Sequence, residues 1–205
     1  MAIEAELKAV VRDVKGVLRQ LEARFGPGCA EVYRDTYYDA PDAGLMGADR
    51  ELRVRTVRGA AGTRTLLTYK CARVDEASGS KPEAETRVED AEAVHEIVRG
   101  LGFVPCLVFE KRCRNFAFER DGRQLLATLV ELPELGGATF LEVETAAASE
   151  AELGPALAVV RGLLAELGID GADLTTELYT DAVAASGAGV RFGSAADRVR
   201  GGGRG

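Results

Sequence analysis

Ile3-Glu4-Ala5-Glu6-Leu7-Lys8 is the stretch on which the fold turns. Charged and apolar residues alternate strictly, the two-residue period of a β-strand, so Glu4, Glu6 and Lys8 share one face while Ile3, Ala5 and Leu7 share the other. Alone, this is the pattern of a solvated edge strand. The same spacing of charges returns in Glu51-Leu52-Arg53-Val54-Arg55, in Glu83-Ala84-Glu85-Thr86-Arg87-Val88-Glu89 and in Phe140-Leu141-Glu142-Val143-Glu144. Strands that each bury one face and charge the other describe a barrel with a polar, ligand-filled interior.

Further along the chain, Asp13 and Asp90 stand as N-caps before runs with apolar residues at helical spacing: Val14, Val17, Leu18, Leu21, and then Ala91, Val94, Ile97, Val98. Cys29 to Asp39 reads as an aromatic-rich strand, and Thr65 to Lys70 as the hairpin partner of the Arg53/Arg55 strand. Val74 to Pro82 is polar and predicts a flexible loop. Asp121-Gly122 signals a hairpin between a long strand within Phe103 to Arg120 and its return, Gln124 to Leu132. Two helices follow, one over Ala151 to Leu167 and a shorter one from Asp173 to about Ala184. The resulting order, β, α, many β, α, many β, α, α, is that of an α+β fold with an antiparallel sheet or barrel.

A chain of 205 residues with 46% hydrophobic content can build one sizeable domain, here residues 1–185. The net charge of -7 argues against a general nucleic-acid binder. Ser186 to Gly205 is Gly-rich, with four arginines against one aspartate, and predicts a disordered tail. Glu4 and Glu6 interrupt any early apolar run, and no stretch approaches a membrane span. Cys29, Cys71, Cys106 and Cys113 are widely spaced, as reduced cytoplasmic thiols are. The lone histidine, His95, sits mid-helix with no nucleophile motif and reads as a packing or surface residue.

Buried charge is costly unless it is paired or binds something charged. The charged strand faces collect Glu4, Glu6, Lys8, Arg53, Arg55, Lys70, Glu83, Glu85, Arg87, Lys111 or Arg112 with Arg114, Glu142 and Glu144. A lining of both signs suits a polyanion with bound divalent cations. Arginine and lysine neutralise phosphate oxygens, and grouped carboxylates hold Mg²⁺ or Mn²⁺, hard ions that prefer oxygen. Carboxylates two apart on a strand are about 6–7 Å apart at the backbone, close enough to converge on one ion or serve two adjacent ones.

Glu4-Ala5-Glu6-Leu7-Lys8 matches an ExExK signature. It is followed in order by Asp35-Thr36-Tyr37-Tyr38-Asp39, Leu52-Arg53-Val54-Arg55, Leu67-Thr68-Tyr69-Lys70, the Glu83/Glu85 strand, Glu110-Lys111-Arg112, Leu135-Gly136 and Phe140-Leu141-Glu142-Val143-Glu144, with Tyr179 as a late tyrosine. In these motifs the chain, from residue 1 to about 183, resembles the CYTH family, the triphosphate tunnel metalloenzymes, and most of all the class IV adenylyl cyclase branch. The resemblance implies a closed antiparallel β-barrel of about eight strands with flanking helices. It implies Mg²⁺ or Mn²⁺ on Glu4, Glu6, Glu142 and Glu144, and a triphosphate bound by Lys8, Arg53, Arg55, Lys70, Glu85, Arg87, Lys111, Arg112 and Arg114. Lys8, Lys70 and Lys111 become the candidate catalytic lysines.

The implied ligand is ATP or a polyphosphate, with no nucleic-acid or membrane partner. The outer apolar strand faces are compatible with a homodimer. The implied reaction is conversion of ATP to cyclic AMP and pyrophosphate. Hydrolysis of tripolyphosphate, thiamine triphosphate or a nucleoside triphosphate is the alternative, and binding without turnover a second one, because fold does not settle reaction. Two positions depart from the family pattern. Val130 stands where an aspartate is expected, with Glu131 beside it on the opposite strand face, and Cys113 stands where a basic residue is frequent.

Overall fold

In the computed structural model residues 1–188 and 190–191 are described, the last two as backbone only. Eight long strands form the framework: β1 (Ala2–Val10), β2 (Cys29–Asp39), β3 (Glu51–Gly59), β4 (Gly62–Lys70), β5 (Lys81–Val88), β6 (Val104–Arg120), β7 (Arg123–Leu132) and β8 (Ala138–Ala147). They pair antiparallel in the order β6-β2-β3-β4-β5-β1-β8-β7, and β7 returns to β6, so the sheet closes into a barrel. Helices α1 (Val14–Phe25), α2 (Ala91–Gly100), α3 (Glu150–Glu166) and α4 (Tyr179–Ser186) flank it. This is the α+β barrel that the alternating charges require.

Local chemistry fixes the joints. Asp13 and Asp90 accept the N–H of Gly16 and Ala93 at 2.9 and 3.0 Å and start α1 and α2. Asp121 and Gly122 both take positive φ, 51° and 71°, the conformation of a tight hairpin turn between β6 and β7. Asp39 accepts the backbone N–H groups of Ala40, Leu45 and Met46 and so fastens the Pro- and Gly-containing loop after β2.

Strand alternation sends the two faces to different places. Outward, Leu7, Ala9, Leu129, Leu141 and Val143 pack under Leu21 of α1 and Val160, Leu163 and Leu164 of α3. Ile3, Ala5 and Ala147 meet Leu153 and Ala156 of α3. On the other side of the barrel Tyr38 and Val54 meet Val94 and Val98 of α2. Most of the hydrophobic core is therefore a jacket outside the barrel wall, while a further cluster that includes the inward-facing Tyr37, Cys113 and Val130 packs with Tyr179 and Val183 of α4, and the rest of the interior is polar.

Three local expectations change. The helix expected from Asp173 starts only at Tyr179, because Leu174–Thr175 forms a short strand, β9, against Lys8 and Ala9. A β-branched threonine paired to an open strand favours the extended chain there. Val74 to Pro82 is a hydrogen-bonded turn whose end already joins a strand. Asp75 accepts the N–H groups of Ser78 and Gly79, Ser78 and Ser80 share a hydroxyl contact of 2.8 Å, and Lys81 already belongs to β5. In the tail, α4 runs to Ser186 and Val190–Arg191 forms β10 against Leu107 and Val108; the rest of the expected disordered segment lies outside the described residues.

Candidate active site in the barrel interior

Register places the inward residues. Glu6 stands opposite Glu144, and Lys8 opposite Glu142, across β1 and β8. Across the barrel, Asp35 faces Arg55 and Tyr37 faces Arg53 between β2 and β3. The cavity these strands enclose is lined by Glu4, Glu6, Lys8, Arg53, Arg55, Lys70, Lys111, Glu142 and Glu144, the core of the expected set. Directly paired residues of an antiparallel sheet share a face, so the alternation read along single strands becomes one charged interior.

One wall is acidic. Oxygens of Glu4, Glu6 and Glu144 lie within 4.8 Å of one another, a grouping that could hold a metal ion. Burial and then the charges of Glu142 and Glu4 push the Glu6 carboxyl up from 4.5 to about 8. Glu144 is raised well above the usual carboxylate range by burial and by Glu4 and Glu6. Three carboxylates grouped this closely are a donor set suited to Mg²⁺ or Mn²⁺. Glu142 differs from them. Burial acts to raise it, but the ammonium of Lys111, 3.8 Å away, and that of Lys8 outweigh burial and hold it low. It serves as counter-charge to two lysines.

The facing wall is basic and its charges are largely paired from within. Asp35, with no exposed surface, accepts Arg55 Nε and Nη2 at 2.6 and 2.7 Å and lies 3.7 Å from Arg53. Burial would raise its carboxyl, yet Arg55 and Arg53 hold it well below the usual range. Arg53 Nη2 also reaches Thr68 at 3.3 Å, and its Nε is buried with no partner. Lys70 bridges the walls by ion pairs to Glu4 and Glu83. Lys8 donates to the Glu177 carbonyl, and its ammonium and that of Lys111 sit 4.2 and 4.1 Å from the ring centre of Tyr179, one on a cation–π contact each.

Not every expected ligand reaches the cavity. Arg112 and Arg114, expected to bind triphosphate, point outward: Arg112 pairs with Glu131 at 3.2 Å and Arg114 with Glu22 of α1 at 3.1 Å. The β6–β7 register runs unbroken from Arg112 to Arg120, so no bulge turns them in, and Cys113, buried opposite Val130, takes the inward place. Glu131 is outward for the same reason and does not replace the missing aspartate; Val130 packs in an apolar cluster with Cys113, Leu132 and Phe140. Glu85 stands outside the main cavity, 2.8 Å from the Thr68 hydroxyl, and Arg87 is exposed further down β5. His95 packs outside the barrel, its Nδ1 2.6 Å from the Tyr38 hydroxyl oxygen. All four cysteines are free.

Three contributors are additions to the expected set. Glu51 shares the parity of Arg53 and Arg55 along β3 itself, whereas Asp35 joins that face only once β2 and β3 are paired in register. Lys81 sits before Pro82, which reads as loop, but it is buried at the cavity's edge and bonded to Glu51 at 2.7 Å and Asp49 at 2.9 Å. Asp49 in turn holds Arg73, so this chain of pairs ties the 71–80 turn across one mouth of the tunnel.

Comparison with known proteins agrees with this geometry. The CYTH domain family model matches residues 2–179, and the chain belongs to that family. A Methanocaldococcus jannaschii protein named "Putative adenylate cyclase" is 26% identical over 182 residues, covering 87% of this chain and 97% of that one. A solved Pyrococcus horikoshii protein superposes with a TM-score of 0.76 at 26% identity, over 89% of this chain and 98% of its own. A Hippeastrum protein, described as a putative adenylyl cyclase with a dominant triphosphatase activity, has a TM-score of 0.63 at 16% identity over 90% and 96%. Among the described residues no helix is long and apolar enough to cross a membrane.

Proposed function

We propose that the protein is a divalent-metal-dependent enzyme of triphosphates that converts ATP to cyclic AMP and pyrophosphate. The observation that carries this is one cavity in which a carboxylate triad, Glu4, Glu6 and Glu144, faces Arg53, Arg55 and Lys111. A triphosphate laid between them meets positive charge along its oxygens and a metal-binding cluster at one end. Mg²⁺ or Mn²⁺ on the triad, when bound, supplies Lewis acidity toward phosphoryl and hydroxyl oxygen.

The chain's own residues supply position and charge. Arg55, clamped by Asp35, presents a guanidinium whose orientation is set before the ligand arrives, which lowers the cost of ordering it. In the cyclase step the 3′-hydroxyl oxygen bonds to the α-phosphorus, the bond from that phosphorus to the bridging oxygen breaks so that pyrophosphate leaves with its electron pair, and the hydroxyl proton passes to solvent water. Arg53, Arg55 and Lys111 neutralise the charge gathering on the leaving pyrophosphate. The related outcome, attack of water on the terminal phosphate, uses the same tunnel, and the activity described for the Hippeastrum protein favours keeping it as the second reading.

The test is incubation of purified protein with ATP or tripolyphosphate and Mg²⁺ or Mn²⁺, separating cyclic AMP, phosphate and pyrophosphate. Cyclic AMP with equimolar pyrophosphate supports the cyclase and phosphate the hydrolase. Binding of both ligands without any product overturns the enzymatic reading.

A further inference from the structure

Four neighbouring strands place one row of side chains on the inner face of the barrel. Tyr37 pairs with Arg53 between β2 and β3, Arg53 with Thr68 between β3 and β4, and Thr68 with Glu85 between β4 and β5. Directly paired residues share a face, so Arg53, Thr68 and Glu85 stand side by side. Thr68 is buried, and its hydroxyl has two partners. It donates to Glu85 Oε2 at 2.8 Å and accepts Arg53 Nη2 at 3.3 Å. A hydroxyl carries one proton and two lone pairs. With the proton committed to Glu85, only lone pairs face Arg53, and the guanidinium meets an acceptor instead of a second donor.

The two inward arginines of β3 are thus held differently. Arg55 gives Nε and Nη2 to Asp35 as a fork. Arg53 lies 3.7 Å from Asp35 and 3.9 Å from Glu85, beyond hydrogen-bond reach of either, and among the described residues its side chain has a hydrogen bond to Thr68 alone. Arg53 Nε is buried with no partner, in a side chain only 9% exposed that lines the cavity. A buried donor left unmade is costly until an acceptor arrives to fill it. Resting on the triphosphate reading above, we infer that Thr68 is a positioning residue: its hydroxyl, fixed in direction by Glu85, turns Arg53 so that Nε is left for a phosphate oxygen. Glu85 acts through Thr68 and makes no contact with the ligand, which fits its exposed place outside the main cavity.

Calorimetric titration of the full chain with tripolyphosphate and Mg²⁺ tests it. Thr68→Val keeps the branched shape and removes the hydroxyl, whereas Thr68→Ser keeps the hydroxyl. The expected result is a fall of at least about tenfold in affinity for Thr68→Val and a return to within about threefold of wild type for Thr68→Ser. In an Arg53→Ala background Thr68→Val is expected to lose less than about twofold, because the two residues act as a unit. Glu85→Ala frees the hydroxyl to turn its proton toward Arg53, so it is expected to weaken binding in the wild-type chain and not further in Thr68→Val. Glu85 is exposed, and its variant reports even where Thr68→Val does not fold. Unchanged affinity in Thr68→Val or Glu85→Ala, an equal loss with and without Arg53, or Thr68→Ser as weak as Thr68→Val overturns the positioning role and leaves the triphosphate tunnel standing. Failure of the wild type to bind tripolyphosphate overturns the reading on which it rests.

Discussion

The two walls of the tunnel solve the problem of buried charge in opposite ways. On the β2–β3 side every acid has a base: Asp35 is chelated by Arg55 and approached by Arg53, and its carboxyl is held well below the ordinary range. On the β1–β8 side like charges are stacked, and Glu6 and Glu144 are raised because burial and neighbouring carboxylates both disfavour ionisation. A wall whose charges are paired in place is preorganised to receive an anion. A wall that repels itself is suited to a cation, and on the proposed function the polyphosphate and the metal go to opposite sides.

The comparison breaks most severely at the acidic wall. Glu4→Gln with Glu6→Gln is expected to lower metal-dependent turnover by about three orders of magnitude, the scale associated with removing a metal or key electrostatic group, read in the product assay. Glu6→Gln alone, which leaves the Glu4–Lys70 ion pair in place, is expected to unfold at a higher temperature than wild type in chelator at pH above about 8, because burial and its neighbouring carboxylates disfavour the Glu6 anion. Activity and stability thus move in opposite directions.

Next comes the basic wall. Asp35→Ala leaves Arg53 and Arg55 buried without their acid and is expected to cost about 3–5 kcal/mol in denaturant unfolding, the usual penalty for breaking a buried pair. Here stability and ligand affinity fall together, the reverse of the acidic wall.

The pH dependence separates the walls without mutation. Glu6, raised from 4.5 to about 8, binds its proton more tightly folded than unfolded. Its contribution is fully present below the unfolded value and is lost as pH rises through about 8, so metal-free protein becomes less stable across that interval. Asp35 is depressed and works the other way: its contribution is present above the unfolded value of 3.8 and is lost only in strong acid. Thermal melts across pH with chelator should show the alkaline loss, and melts with Mn²⁺ should not.

The smallest effects belong outside the barrel. Glu131→Gln and Arg112→Ala remove partners of an exposed surface pair, and each is expected to change metal and tripolyphosphate affinity by less than about twofold. A larger loss of metal affinity in Glu131→Gln would return that carboxylate to the metal site.

The barrel was legible because a two-residue period is a local property: Glu4, Glu6 and Lys8 declare a polar face within six residues, and Glu142 and Glu144 repeat it. The capped helices were legible for the same reason, through Asp13 and Asp90. What stayed hidden depends on pairing. Whether Arg112 or Lys111 faces inward is set by the β2–β6 and β6–β7 registers, and a slip of one residue would exchange them. Asp35 belongs to a motif of the resemblance, but it has no role until β3 brings Arg55 opposite it. Lys81 was masked by Pro82, whose local message is loop, while the tertiary structure uses both residues to open β5. Glu142 has the same spacing as Glu144, and only the nearness of Lys111 and Lys8 sets it apart.

The most direct measurement is a crystal structure of the protein with Mn²⁺ and a methylene-bridged ATP analogue, with manganese located by its anomalous signal. The account predicts manganese on Glu4, Glu6 and Glu144 and phosphate oxygens on Arg53, Arg55 and Lys111. Manganese away from that triad, or a triphosphate bound outside the barrel, would contradict it.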